Sequence, residues 1–363
     1  MCIIAGYTGY KSAAPILIEM LKKTEYIDGG LSTGIATIHE GKLYTRKVLG
    51  DVATLLRKTD ALSLPGTTGI IHSRTSNNFL SHAHPQISDD GKLAAVDNGT
   101  MSQTLCPEFK AESNAIMADL VKKGIKVKSE VEADCDYKRL PNGNGYHETE
   151  LWALYIGEKT RNSTKETLER DLADATRDII NRLPADIITL NIHSDLDGVI
   201  TIGNVTRPMT VGFGDGETFL ATVPMAFPDK IANRPVLHLP PTSLSQATPR
   251  GINILSTALE NARVECIDYR VQKRIREDME RLLPRCEREA ISIYELPFRR
   301  EWAEVWSEPR VDCKYKHPNG LLKPYAAIMY ECLWSFHKEG RLHSTLGYRA
   351  TNPNMKITKF WLD

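Results

Sequence analysis

The chain contains no apolar run of the ~18–20 residues that a membrane-crossing helix needs, so no helical span is expected. None of its seven cysteines (Cys2, Cys106, Cys135, Cys266, Cys286, Cys313, Cys332) forms a Cys-x-x-Cys pair, so a structural zinc site is not expected. An odd cysteine count without a secretory leader argues for a reducing, cytoplasmic setting rather than a disulfide framework. Net charge is absent too: 46 basic residues balance 46 acidic ones, which gives no footprint for nucleic acid or a membrane surface. There is no internal repeat and no low-complexity tract, which excludes a solenoid. Gly212-Phe213-Gly214-Asp215-Gly216 does not open a helix, so a dinucleotide fingerprint fails. Asp195-Leu196-Asp197-Gly198 lacks the closing Glu of a calcium loop and reads as a turn. Ser81-His82-Ala83-His84 has the i, i+2 spacing of two ligands on one strand face, but no third ligand is apparent and no metal or other cofactor is expected.

What is present is a chain of 363 residues, 41% hydrophobic, long enough for a sizeable core and two domains. It opens Met1-Cys2-Ile3-Ile4-Ala5-Gly6-Tyr7-Thr8-Gly9. Removal of Met1 would make Cys2 the first residue, carrying both a thiol and an α-amine. The amine can take the thiol proton and later return it to a leaving group. An α-amine titrates near ~7.7–8.0, so much of it is neutral base at cytosolic pH.

Cys2 to Tyr7 reads as an apolar strand, and Ala13 to Lys22 has helical spacing. Thr33–His39 and Lys42–Val48 form a hairpin around Glu40-Gly41. Thr68–Ser73 and Lys92–Asp97 have the character of buried strands; Phe109–Lys123, Glu148–Tyr155 and Lys165–Arg182 are helical; 187–222 is strand-rich. The polar segment 131–146 reads as a surface insertion and Pro235–Pro249 as a linker. Beyond it, Val271, Ile275, Met279 and Leu282 lie at helical spacing, Tyr325–Phe336 is helical, and Lys356–Leu362 is a closing strand. Strands on both sides of a helical middle predict an α+β layered domain.

Five segments, in order, resemble class II glutamine amidotransferases, most of all the glutaminase half of glucosamine-6-phosphate synthase. Cys2-Ile3-Ile4-Ala5-Gly6-Tyr7-Thr8-Gly9 is similar to C-G-I-x-G-Y-x-G. Leu21–Tyr26, Gly34-Ile35-Ala36 and Arg46–Val52 are similar to its L-x-x-L-E-Y, G-[IL]-A and R-x-x-G-x-V segments. Gly66–Arg74 is similar to G-x-x-G-I-[GA]-H-T-R, Ala83-His84-Pro85 to A-H-P, and Val96-Asp97-Asn98-Gly99 to V-x-H-N-G. The resemblance implies a four-layer αββα sandwich of N-terminal-nucleophile hydrolase type over residues 2–230, with a smaller, mainly helical region over 231–363. It implies L-glutamine as substrate, Cys2 as the nucleophile that forms a γ-glutamyl thioester, and Asn98 with the Gly99 N–H as the oxyanion donors. It implies Arg74 for the substrate α-carboxylate, with Thr75 and Asn77 beside it, and Glu148 for the α-ammonium, with Glu132 and Asp134 as alternatives.

The chain also departs from that pattern. Where the family reads W-A-T-H-G, this chain reads Thr75-Ser76-Asn77-Asn78-Phe79. The Trp that gates an ammonia tunnel has no counterpart, and Asn77 and Asn78 replace the Thr and His that help hold glutamine. No sugar-phosphate loop is visible after residue 231, so the expected partner is an ammonia-acceptor enzyme or a sugar-phosphate synthase, with a homodimer as the compatible assembly. Two other functions fit the same residues: a hydrolase of another γ-glutamyl or other amide, and a catalytically silent binding module.

Overall fold

The computed structural model describes residues 2–75, 79–100, 107–132, 138–183, 186–257, 269–293, 295–296, 325–349 and 352–363. Two antiparallel sheets stack face to face between helical layers. The elements of the first half are β1 (Ile3–Thr8), α1 (Ala13–Thr24), β2 (Ser32–His39), β3 (Lys42–Leu49), α2 (Val52–Lys58), β4 (Thr68–Arg74), β5 (Gln86–Ile87), β6 (Leu93–Thr100) and α3 (Pro107–Lys122). Then follow β7 (Lys138–Arg139), β8 (Gly145–Tyr146), α4 (Glu148–Thr160), α5 (Leu168–Arg182), β9 (Asp186–His193), β10 (Ile200–Asn204), β11 (Thr210–Gly214) and β12 (Glu217–Ala221). The last elements are α6 (Asp229–Ala232), β13 (Val236–His238), β14 (Ser243–Thr248), β15 (Gly251–Ser256), α7 (Tyr269–Leu282), α8 (Tyr325–Lys338), β16 (Leu342–Arg349) and β17 (Asn352–Leu362).

One sheet has seven strands in the order β13-β11-β12-β1-β4-β2-β3; the other has six, β15-β14-β10-β9-β6-β5. The layering follows from alternation along the central strands. On β1, Ile3, Ala5 and Tyr7 face the outer core that contains α1, while Ile4 joins the core between the sheets. On β6, Leu93 and Ala95 face α3–α5, while Ala94 and Val96 face the other sheet. A strand buried on both faces reads as a continuous apolar run, which is why these segments lack polar alternation. The architecture is the expected αββα sandwich.

Several motif residues are explained by this packing rather than by chemistry. The buried Glu25 carboxylate accepts hydrogen bonds from the Val52 N–H at 2.9 Å and from the Thr33 and Ser73 hydroxyls at 2.8 Å each. It ties three of the recognised segments together just behind Arg74. Gly34 passes beneath the polypeptide at His84: a Cβ there would stand 2.1 Å from the His84 carbonyl oxygen.

The stretch 235–249 is not a linker. It supplies β13 to the seven-stranded sheet and β14 to the six-stranded sheet, and β15 follows. Both sheets therefore take strands from beyond residue 230. The prolines sit between strands rather than inside them, so local composition hid the pairing. Segment 131–146 is likewise more than a surface insertion: β7 and β8 pair, and Tyr146 is fully buried with its hydroxyl 2.9 Å from Ser113 Oγ. In the C-terminal region α7 and α8 are joined by the β16–β17 hairpin. Ile275, Met279, Leu333, Phe336 and Phe360 enter the same outer core as α1, so this region completes the layer over the seven-stranded sheet.

Candidate active site

Cys2 lies immediately before β1, half-buried and with a free thiol. Its backbone nitrogen donates to Asn98 Oδ1 at 2.8 Å. This bond crosses from the seven-stranded sheet to β6 of the six-stranded sheet. Asn98 is fully buried, and its Nδ2 has no hydrogen-bond partner among the described residues. A buried amide donor left without an acceptor costs ~1–3 kcal/mol. Gly99 follows with φ +149°, a conformation that favours glycine, at an exposed position where its backbone is accessible.

Arg74 closes β4. The register pairs Ile3 with Ser73, which sets Arg74 beside Cys2 at the end of the β1–β4 ladder. Its Nη1 donates to the His82 carbonyl at 2.7 Å and lies 2.7 Å from His147 Nε2. His147 caps α4: its Nδ1 accepts from the Thr149 N–H at 3.3 Å, and its own N–H donates to Ser129 Oγ. Glu148, the first residue of α4, is half-buried and adjoins this contact. Glu150 serves the frame instead, accepting from the Lys128 and Ser129 N–H groups at 2.7 Å each. Thr75 is half-buried after Arg74; Glu132 is exposed; Asn77 and Asp134 lie outside the described residues. The structure thus brings Cys2, Asn98, Gly99 and Arg74 to one end of the two sheets, with the start of α4 against Arg74.

Beneath Asn98 lies a buried polar layer that the sequence reading did not assign. The His72 and His84 rings lie 4.1 Å apart between centroids, tilted by 40°, and His147 lies 5.2 Å from His84. Burial above all, with the neighbouring Arg74 and, for His84, the His72 ring adding to it, holds both His72 and His84 well below the usual imidazole range, so both are neutral. Burial pushes the Asp97 carboxyl up to about 7; Thr189, Thr149 and Arg74 offset only part of this. Lys47 is pushed down to about 8 by burial and donates to the Ala83 and Pro85 carbonyls, bracing the segment that carries His84. The His82 imidazole is directed elsewhere, 2.9 Å from the Ser129 carbonyl. On the far side, Tyr330 of α8 is fully buried with no hydrogen-bond partner for its hydroxyl among the described residues. Asp28, Arg207 and Cys2 are the ionisable groups that act on it. A polar residue on an apolar helix was the only available signal for Tyr330. The long separation between its contacts hid the histidine layer.

No family model matches the chain. It is 30% identical over 230 residues to the glutamine–fructose-6-phosphate aminotransferase [isomerizing] of Pyrococcus horikoshii, across 62% of this chain and 33% of that protein. The protein of the same name from Aquifex aeolicus is 29% identical over 262 residues, across 70% of this chain and 37% of the relative. The chain therefore spans about a third of the length of the relatives it matches. Among solved structures, glutamine phosphoribosylpyrophosphate amidotransferase from B. subtilis superposes with a TM-score of 0.54 at 17% identity, over 78% of this chain and 52% of that one. In sequence this chain is similar to part of the glutamine–fructose-6-phosphate aminotransferases, and it shares the αββα N-terminal-nucleophile fold of the B. subtilis amidotransferase.

Proposed function

We propose that this chain hydrolyses the side-chain amide of glutamine through Cys2 and releases ammonia for an acceptor. The observation that carries the reading is Asn98: its Oδ1 takes the Cys2 N–H while its Nδ2 stays buried without an acceptor. With Met1 removed, that nitrogen is the α-amine. The bond to Oδ1 fixes one N–H and so aims the amine lone pair. The amine takes the thiol proton as Sγ attacks the amide carbon. The carbonyl π electrons move onto oxygen, and the oxyanion is met by Asn98 Nδ2 and the Gly99 N–H. Collapse breaks the C–N bond, and the departing nitrogen takes the proton from the amine and leaves as ammonia. Water then attacks the thioester, activated by the same amine, and glutamate departs.

Arg74, oriented by the His82 carbonyl and His147, is assigned the substrate α-carboxylate, with Thr75 and Asn77 beside it. Glu148 is assigned the α-ammonium. The relatives' name couples glutamine to fructose-6-phosphate, which suggests an amino sugar as the acceptor product. We place the acceptor step outside the two sheets, on the region beyond β15 or on a partner. The test is stoichiometric release of glutamate and ammonia from glutamine, abolished in Cys2→Ala. A second reading, hydrolysis of another γ-glutamyl amide, rests on Thr75–Phe79 replacing W-A-T-H-G. It predicts turnover of such an amide at higher kcat/KM than glutamine.

A further inference from the structure

The ladder between β5 and β6 holds only two residue pairs, Gln86–Ala95 and Ile87–Ala94. Pro85 has no N–H to extend it. Continued in register, His84 would lie opposite Asp97, and there two imidazoles take the place of the missing strand. His72 Nε2 is 3.0 Å from the Asp97 carbonyl oxygen, and the Asp97 N–H donates to His84 Nδ1 at 3.3 Å. These contacts assign the protons. His84 Nδ1 accepts, so its proton sits on Nε2, which donates to Thr149 Oγ1 at 2.9 Å. His72 donates from Nε2, which leaves Nδ1 bare, and that buried atom has no hydrogen-bond partner among the described residues. On the opposite edge β9 holds β6, with Asp97 facing Thr189 and Asn98 facing Ile188.

We propose that His72 and His84 are positioning residues that fix Asn98 and Gly99 by clamping the peptide groups on either side of Asp97. The peptide from Asp97 to Asn98 carries its carbonyl on the His72 side, so loss of that bond lets the Asn98 Cα rotate. The Asn98 side chain, set by its 2.8 Å contact with the Cys2 nitrogen, would then shift relative to the thiol. The inference rests on the oxyanion role proposed above.

The chemistry chooses the variants. The amide oxygen of Asn overlays His Nδ1, and the amide nitrogen of Gln overlays His Nε2. His84→Ala and His72→Ala should each lower kcat for glutamine by roughly 10- to 100-fold, with KM changed less than threefold, because a displaced donor is felt in the transition state. His84→Asn and His72→Gln should recover most of that loss. Alkylation of Cys2 by iodoacetamide, which needs no oxyanion hole, should keep its wild-type rate in all four. Hydrogen exchange supplies a reading independent of turnover: the Asp97 amide should exchange at least ~10-fold faster in His84→Ala than in His84→Asn or wild type. If the alanine variants fail to fold, His84→Asn and His72→Gln carry the test against His84→Gln and His72→Asn, which place the wrong atom at the contact. An unchanged kcat, a change in KM alone, or unchanged Asp97 exchange overturns the clamp. Wild-type protein that releases no ammonia, with faster Asp97 exchange in His84→Ala, overturns the glutaminase reading and leaves the clamp standing.

Discussion

The backbone nitrogen of Cys2 and the side-chain oxygen of Asn98 lie 2.8 Å apart, although 96 positions separate them in sequence. The contact joins the start of one sheet to the sixth strand of the fold. It commits Asn98 Oδ1, while Nδ2 has no hydrogen-bond partner among the described residues.

Asn98→Ala should therefore lower kcat roughly 100- to 1,000-fold with a small change in KM, the usual cost of one oxyanion donor. Asn98→Asp should be worse, since a carboxylate faces the developing oxyanion. Steady-state ammonia release from glutamine measures both, and Cys2 should remain open to alkylation in each.

Arg74→Lys should act mainly on KM. The His82 carbonyl and His147 orient a planar guanidinium, and an ammonium cannot keep that geometry while gripping a carboxylate bidentately. A kcat/KM reduced by roughly 10-fold or more, with kcat within a few-fold of wild type, is the expected split. Equal losses in kcat and kcat/KM would point instead to a role in the chemical step.

Asp97 sets a pH dependence of stability. Its folded carboxyl titrates at about 7, against 3.8 ordinarily, because burial disfavours the charge. Between those values the folded state holds a proton that the unfolded state releases. Stability is then greatest below about 4 and declines as pH rises toward 7, by on the order of 4 kcal/mol at most. Asp97→Asn removes the titration. Denaturant unfolding of both proteins should give nearly equal stabilities near pH 4, with the variant more stable by pH 8. Parallel curves would contradict the assignment.

Tyr330 and Leu333 sit one turn apart on α8, and both are buried in the outer core. Leu333→Ala should cost about 2–5 kcal/mol through cavity formation. Tyr330→Phe should stabilise by about 1 kcal/mol, because the lost hydroxyl has no partner among the described residues. Thermal melts distinguish the two. A large loss of glutaminase turnover in Tyr330→Phe would show that the hydroxyl serves the nucleophile.

Cys2, Arg74, Asn98 and Gly99 were legible because each sits in a short run whose residue types are unusual together. The two-faced burial of β1 and β6 was legible as continuous apolarity. His72, His84 and His147 were not: their contacts with Asp97 and Arg74 span 13 to 73 positions, and only the folded chain brings them together. The buried strand through Asp97 was legible, but not that its peptide groups are held by two imidazoles. β13–β15 were hidden by flanking prolines. β16 was hidden because its apolar Leu346 and Tyr348 lie on the exposed face, so its burial alternation does not follow its hydrophobic residues.

The central claim is that a processed Cys2 is a glutamine-directed nucleophile. It is tested most directly by the intact mass of the purified protein before and after a diazo-ketone analogue of glutamine, with Cys2→Ala as control. The expected mass lacks Met1, and the reagent adds a single adduct that glutamine competes away and that Cys2→Ala does not form. Retained Met1, or a processed Cys2 that takes no adduct, would contradict it.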